Sequence, residues 1–96
     1  MIYRVIDREN LEVTGSVKQL TPTKLIPRVV YARIQVQVAS IRVTTDGTDP
    51  NPATPVGEVF SPLDFFEVWG DSMRSFKMVK EATSNANVEV TYMGTG

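Results

Sequence analysis

Residues 30–38 read Val30-Tyr31-Ala32-Arg33-Ile34-Gln35-Val36-Gln37-Val38. Ala32, Ile34, Val36 and Val38 share one parity; Arg33, Gln35 and Gln37 share the other. Successive side chains of a strand point to opposite faces, so this period of two describes a strand with one buried and one wetted face. Ala39-Ser40 reads as a tight turn. Ile41 and Val43 then resume the alternation with Arg42 outward, and residues 30–43 together predict a hairpin.

Toward the C-terminus, residues 45–57 form a loop. Asp46-Gly47 offers the positive-φ position of a tight turn, and Pro50, Pro52 and Pro55 stiffen the remainder of the loop. Residues 58–60 and 64–69 predict short strands. In the second, Phe66 and Val68 take one face while Phe65, Glu67 and Trp69 take the other. Residues 73–80 predict a strand with Phe76 and Met78 inward; a helix is the alternative there. Val88, Val90 and Tyr92 alternate with Glu89 and Thr91 in a last strand, after which residues 94–96 are expected to fray.

Toward the N-terminus the pattern weakens. Residues 2–6 predict a short strand with imperfect alternation, residues 7–10 are charged, and Leu11, Val13 and Val17 alternate in a second extended piece. Thr21-Pro22-Thr23 and Ile26-Pro27 interrupt any regular element, because proline lacks the backbone donor and restrains its predecessor.

Seven or eight short strands, with turn signals about every ten residues, predict an all-β fold. The expectation is a single small antiparallel β-sandwich, Ig-like or jelly-roll-like. An extended N-terminal arm (residues 1–28) precedes the sandwich domain (residues 29–96). Valine-rich, threonine-rich composition agrees, since branched side chains suit a pleated surface.

The chain has 96 residues, no cysteine, no histidine and a formal net charge of −1. No disulfide, thiolate nucleophile, imidazole base or Cys/His-bound metal can form. Ten basic against eleven acidic residues provide no basic field for phosphates, so no direct nucleic-acid partner is expected. No apolar run reaches the roughly 20 residues that span a bilayer, and the first residues do not make a signal peptide. At 10.7 kDa a folded monomer exposes roughly 5,500 Å² and buries about 64% of its unfolded surface.

Few residues offer chemistry. Asp46 and Asp49 invite a calcium reading, but the spacing is not that of an EF-hand; Asp46, Gly47 and Asp49 are read as a structural turn. Asp64, Glu67 and Asp71 could supply a glycosidase-like carboxylate pair, but surface carboxylates are the simpler reading. Ser72 and Ser75 lack an activating base. No catalytic residue, metal ligand or cofactor is assigned, and no enzyme activity is expected. The aromatics say more. Phe60, Phe65, Phe66, Trp69 and Phe76 fall within seventeen positions, and burying Phe66 turns Phe65 and Trp69 to the other face. Aromatic residues are enriched at interfaces. Ile2, Tyr3 and Val5 of the arm, with Phe65 and Trp69, are therefore the expected partner contacts.

An ordered set of motifs carries a resemblance. The alternating strand at 32–38 is followed by Ile41-Arg42-Val43-Thr44-Thr45-Asp46-Gly47-Thr48-Asp49-Pro50. Thr54 and Gly57 come next, then Phe66 and Val68, Phe76-Lys77-Met78-Val79, and Val88-Glu89-Val90-Thr91-Tyr92. Over residues 29–93 this resembles small structural proteins of tailed-bacteriophage virions. The long Pro-rich loop and the N-terminal arm are departures from that pattern. The resemblance implies a particle component without enzyme activity. The expected function is a capsid decoration (cement) protein on the phage head surface, assembled in the host cytoplasm. Its partners would be the major capsid protein or another virion protein, and further copies of itself in a homo-oligomer. The alternatives are a head–tail or tail component, and a carbohydrate-binding module with Trp69 and Tyr31 or Tyr92 as stacking platforms.

Overall fold

A computed structural model describes residues 2–95; Met1 and Gly96, and the expectations that touch them, lie outside the described residues. The strands are β1 (Arg4–Val13), β2 (Val29–Gln37), β3 (Ile41–Thr44), β4 (Glu58–Phe60), β5 (Phe65–Trp69), β6 (Lys77–Lys80) and β7 (Ala86–Gly94). A 3-10 turn at Pro22–Lys24 and one helical turn, α1 (Ser72–Ser75), interrupt them. One sheet has the order β1-β7-β2-β5 and the other β4-β3-β6. All pairings are antiparallel. The fold is all-β and sandwich-like, and its exposed area of 5401 Å² is that of a compact monomer of this mass.

The inner faces follow the alternation. Ala32, Ile34 and Val36 of β2 lie beside Tyr92, Val90 and Val88 of β7 in the same sheet, all fully buried, and share the core with Ile41 of β3 and Met78 of β6 from the second sheet. Phe76 and Met78 are buried as the parity predicts. Phe66 reaches inward and stacks on Phe60 of β4 with ring centroids 4.1 Å apart.

Four expectations are corrected. First, the stretch expected to be an arm is part of the sandwich. Arg4–Val13 pairs with β7 along its length, and Leu11, Val13, Leu20 and Leu25 belong to the core. A bulge between Val5 and Asp7 shifts the parity midway, which hides the strand from a period-two reading. Residues 14–18 then cross to the second sheet, where Lys18 exchanges backbone hydrogen bonds with Met78 at 2.9 Å and Thr14 accepts from Lys80 at 2.9 Å.

Second, β2 and β3 are not a hairpin; they lie in different sheets. Val38 has φ of +75°, and Ala39 N–H donates to the Gln37 carbonyl at 2.9 Å. This three-residue γ-turn throws the chain across the sandwich, and Val38 ends up 73% exposed rather than inward. Third, residues 73–80 divide: α1 holds the first part and β6 starts only at Lys77. Fourth, Gly94 does not fray. It is a buried member of β7, beside Arg28 and Val29.

Candidate interaction surface

The outer face of the four-stranded sheet holds three of the five expected partner contacts, Val5, Phe65 and Trp69. Its register sets them in rows. Val5 lies opposite Met93, Met93 opposite Tyr31, and Tyr31 opposite Trp69. The next row is Arg8, Thr91, Arg33 and Glu67; the third is Asn10, Glu89, Gln35 and Phe65; the fourth is Glu12, Asn87 and Gln37. The face therefore grades from an apolar end to a polar one.

At the apolar end, Tyr31 and Trp69 stack with centroids 4.2 Å apart. Tyr3 meets both edge-on, at 5.5 and 5.8 Å, in the geometry aromatic quadrupoles favour. The N-terminal stretch thus partly covers Trp69, which stays 45% exposed. The Trp69 indole N–H donates to the Glu67 carboxylate at 3.1 Å. Phe65, near the polar end, is 59% exposed, and the Arg33 guanidinium sits 4.6 Å from its ring centroid, a cation–π contact. Ile2 and Val5 are exposed. Of the five expected contacts, Tyr3, Val5 and Trp69 come together at one end and Phe65 lies two rows away. Tyr92 is fully buried, which removes it as a stacking platform for a glycan, and Tyr31 spends one ring face on Trp69.

The loop residues have local partners. Asp46 accepts from Thr48 N–H at 3.0 Å, and Gly47 takes φ of +88°, so Asp46-Gly47-Thr48 is an Asx turn. That hydrogen bond holds the Asp46 carboxyl below its ordinary range. Asp49 pairs with Lys77 at 2.8 Å. Asp64 accepts from Ser61 N–H at 2.8 Å, and Ser75 donates to the Thr45 carbonyl at 2.6 Å. Among the described residues no group of three acidic side chains is placed to hold a metal ion.

Three pairings name partners that the sequence reading did not. Arg42 grips Glu81 with two hydrogen bonds, 2.9 and 2.8 Å, and donates a third to the Gly57 carbonyl at 3.0 Å. Arg42 does not share a face with Arg33, because their strands lie in different sheets. On β7, beside β1 in the same sheet, the buried Tyr92 donates its phenolic O–H to Glu9, whose other oxygen accepts from Thr21 at 2.8 Å. Next to it, Lys24 pairs with Asp7 at 2.8 Å. The partners lie 39 positions apart for Arg42–Glu81 and 83 for Tyr92–Glu9, with no local motif to announce them.

No protein family, curated protein or solved structure matches this chain.

Proposed function

We propose that the chain is a structural protein of a tailed-bacteriophage virion. It acts as a decoration (cement) protein that docks on the major capsid protein at the head surface. One observation carries this reading. Asp46, Asp49, Asp64 and Ser75 bond to the chain's own turns and to Lys77, whereas Tyr3, Tyr31 and Trp69 form an aromatic cluster that leaves Trp69 about half in water. Ordered aromatic surface is characteristic of protein contacts. The motif set over residues 29–93 supports the same reading. The mechanism is mass action. A ligand that binds only the assembled shell stabilises it, by about 2.7 kcal/mol per site at one hundred times its dissociation constant.

Co-sedimentation with phage heads assembled without this chain tests the proposal. Binding, with a rise in head melting temperature, is expected. Trp69→Ala and Val5→Ser are expected to weaken it. Heads that neither bind the chain nor gain stability overturn the reading; attachment confined to tails moves the protein to a tail role.

A further inference from the structure

We propose that the outer face of the four-stranded sheet joins two copies of this chain about a two-fold axis. The axis runs parallel to the strands, between β7 and β2. The proposal depends on the virion reading only in taking this face as a contact surface.

Register is the decisive observation. A two-fold parallel to the strands keeps each row at its own level and reverses strand order. Strand β1 then faces β5 of the second copy, and β7 faces β2. The row Val5, Met93, Tyr31, Trp69 meets its own reverse, apolar against apolar. In the next row Arg8 meets Glu67 of the second copy, and does so twice by symmetry. Thr91 meets Arg33, a hydroxyl acceptor against a guanidinium donor. In the third row Glu89 meets Gln35, a carboxylate against an amide donor. In the last, Asn87 meets Gln37. No like charges fall opposite one another. Arg33 keeps Glu67 beside it in its own row.

The other two-fold available to a face-to-face pair runs across the strands. It would set the apolar row against Glu12, Asn87 and Gln37, and Glu67 against Phe65. Self-complementarity therefore selects the axis along the strands, and an isologous contact is the form a two-fold requires. Packed sheets lie about 10 Å apart and within about 30° of alignment. The central β7–β2 pairs stay in register under that rotation, and Arg8 and Glu67 have the reach to meet at the edges. Four strands and four rows cover roughly 19 by 27 Å. That is about 1,000 Å² in projection over both copies before side-chain relief, close to the roughly 1,200–2,000 Å² of stable interfaces.

Sedimentation equilibrium on the full chain tests this, with Arg8→Glu, Glu67→Arg, the double exchange and Met93→Glu, each checked for folding by circular dichroism. A dimer is expected for the wild type. Each single charge reversal sets like charges opposite twice and is expected to weaken dimerisation at least about tenfold. The double exchange restores it to within about threefold, and Met93→Glu abolishes it. A monomeric wild type at hundreds of micromolar, a ring of three or more copies, a dimer indifferent to the single reversals, or a double exchange that fails to rescue would each overturn the two-fold. A monomer that still binds heads overturns this inference alone; a dimer that ignores heads overturns the virion reading alone.

Discussion

Tyr92 of β7 donates its phenolic O–H to Glu9 of β1 at a half-buried, inward-facing position, and Thr21 donates to the same carboxylate from the segment that follows β1. This contact makes an acidic residue acceptable on an inward position. It also fastens residues that sequence alone leaves outside the core.

Tyr92→Phe keeps the ring and removes the donor. Hydrogen bonds to charged groups contribute about 1.5–3 kcal/mol, and losing one leaves a half-satisfied carboxylate. Urea unfolding is expected to show a loss of that size, and the melting temperature to fall by about 10 °C. An unchanged midpoint would mean that Glu9 is fully solvated without Tyr92.

The pH profile of stability has two limbs. Burial first, and the Glu9 carboxylate second, push the Tyr92 phenol above its ordinary 10.0; the Asp7 carboxylate raises Lys24 above its ordinary 10.5. A raised group stabilises the fold below its unfolded value, so stability is expected to decline as pH climbs past about 10. Asp7, lowered by the Lys24 hydrogen bond, and Asp46, lowered by Thr48 N–H, sit below 3.8. Their contributions are present above about pH 4 and vanish as pH falls through the folded values. With no histidine, no side chain with an ordinary pKa titrates between, so unfolding free energy should be flat from roughly pH 5 to 9. Chemical denaturation across pH checks this, and Tyr92→Phe should make the alkaline limb shallower.

Val38 holds a β-branched side chain at φ of +75°. Backbone strain of this kind costs about 1–3 kcal/mol, while glycine costs roughly 0.5–1 kcal/mol in unfolded-state entropy. Val38→Gly is therefore expected to stabilise the protein by up to about 2 kcal/mol, read as a higher urea midpoint at constant slope. A lower midpoint would show that the valine side chain contributes packing at that corner.

Gly94 works by absence. A Cβ there would lie 1.9 Å from the Arg28 carbonyl oxygen and 3.0 Å from the Val29 Cα, both backbone atoms that no flexible side chain can yield for. Gly94→Ala is expected to cost about 3 kcal/mol or more, measured by thermal unfolding. Wild-type stability in this variant would disprove the close approach of β7 to the 28–29 backbone.

Legibility in the sequence tracked locality. Strict alternation in 30–37 and 88–92 marks strands whose inward side is wholly apolar. The same rule puts Phe76 and Met78 inside and Phe65 and Trp69 outside, as found. Strand β1 was legible only as two extended pieces, residues 2–6 and Leu11–Val13; its continuity was hidden because the bulge changes parity at Val5/Asp7 and because Glu9 points inward to a tyrosine 83 positions away. The crossing after β2 was hidden for a different reason. Valine is a strand former, so nothing about Val38 advertises a positive φ. The aromatic cluster was half legible: Trp69 outward was readable, but its stacking on Tyr31 depends on the β2–β5 register.

The crossing of residues 14–18 makes the two sides of the sandwich unequal. Backbone hydrogen bonds to Met78 and from Lys80 bind the sheets along the β6 side. On the far side the Ser61–Asp64 turn carries the chain from β4 into β5, closed by Asp64 N–H on the Ser61 carbonyl at 3.0 Å, and Phe60 stacks on Phe66 beside it. Interstrand backbone pairing thus ties one seam, while a single turn and aromatic packing close the other. Deuterium should enter the amides of the edge strands β4 and β5 first, while the β6 amides, paired on their outer side by residues 14–18, wait for global unfolding.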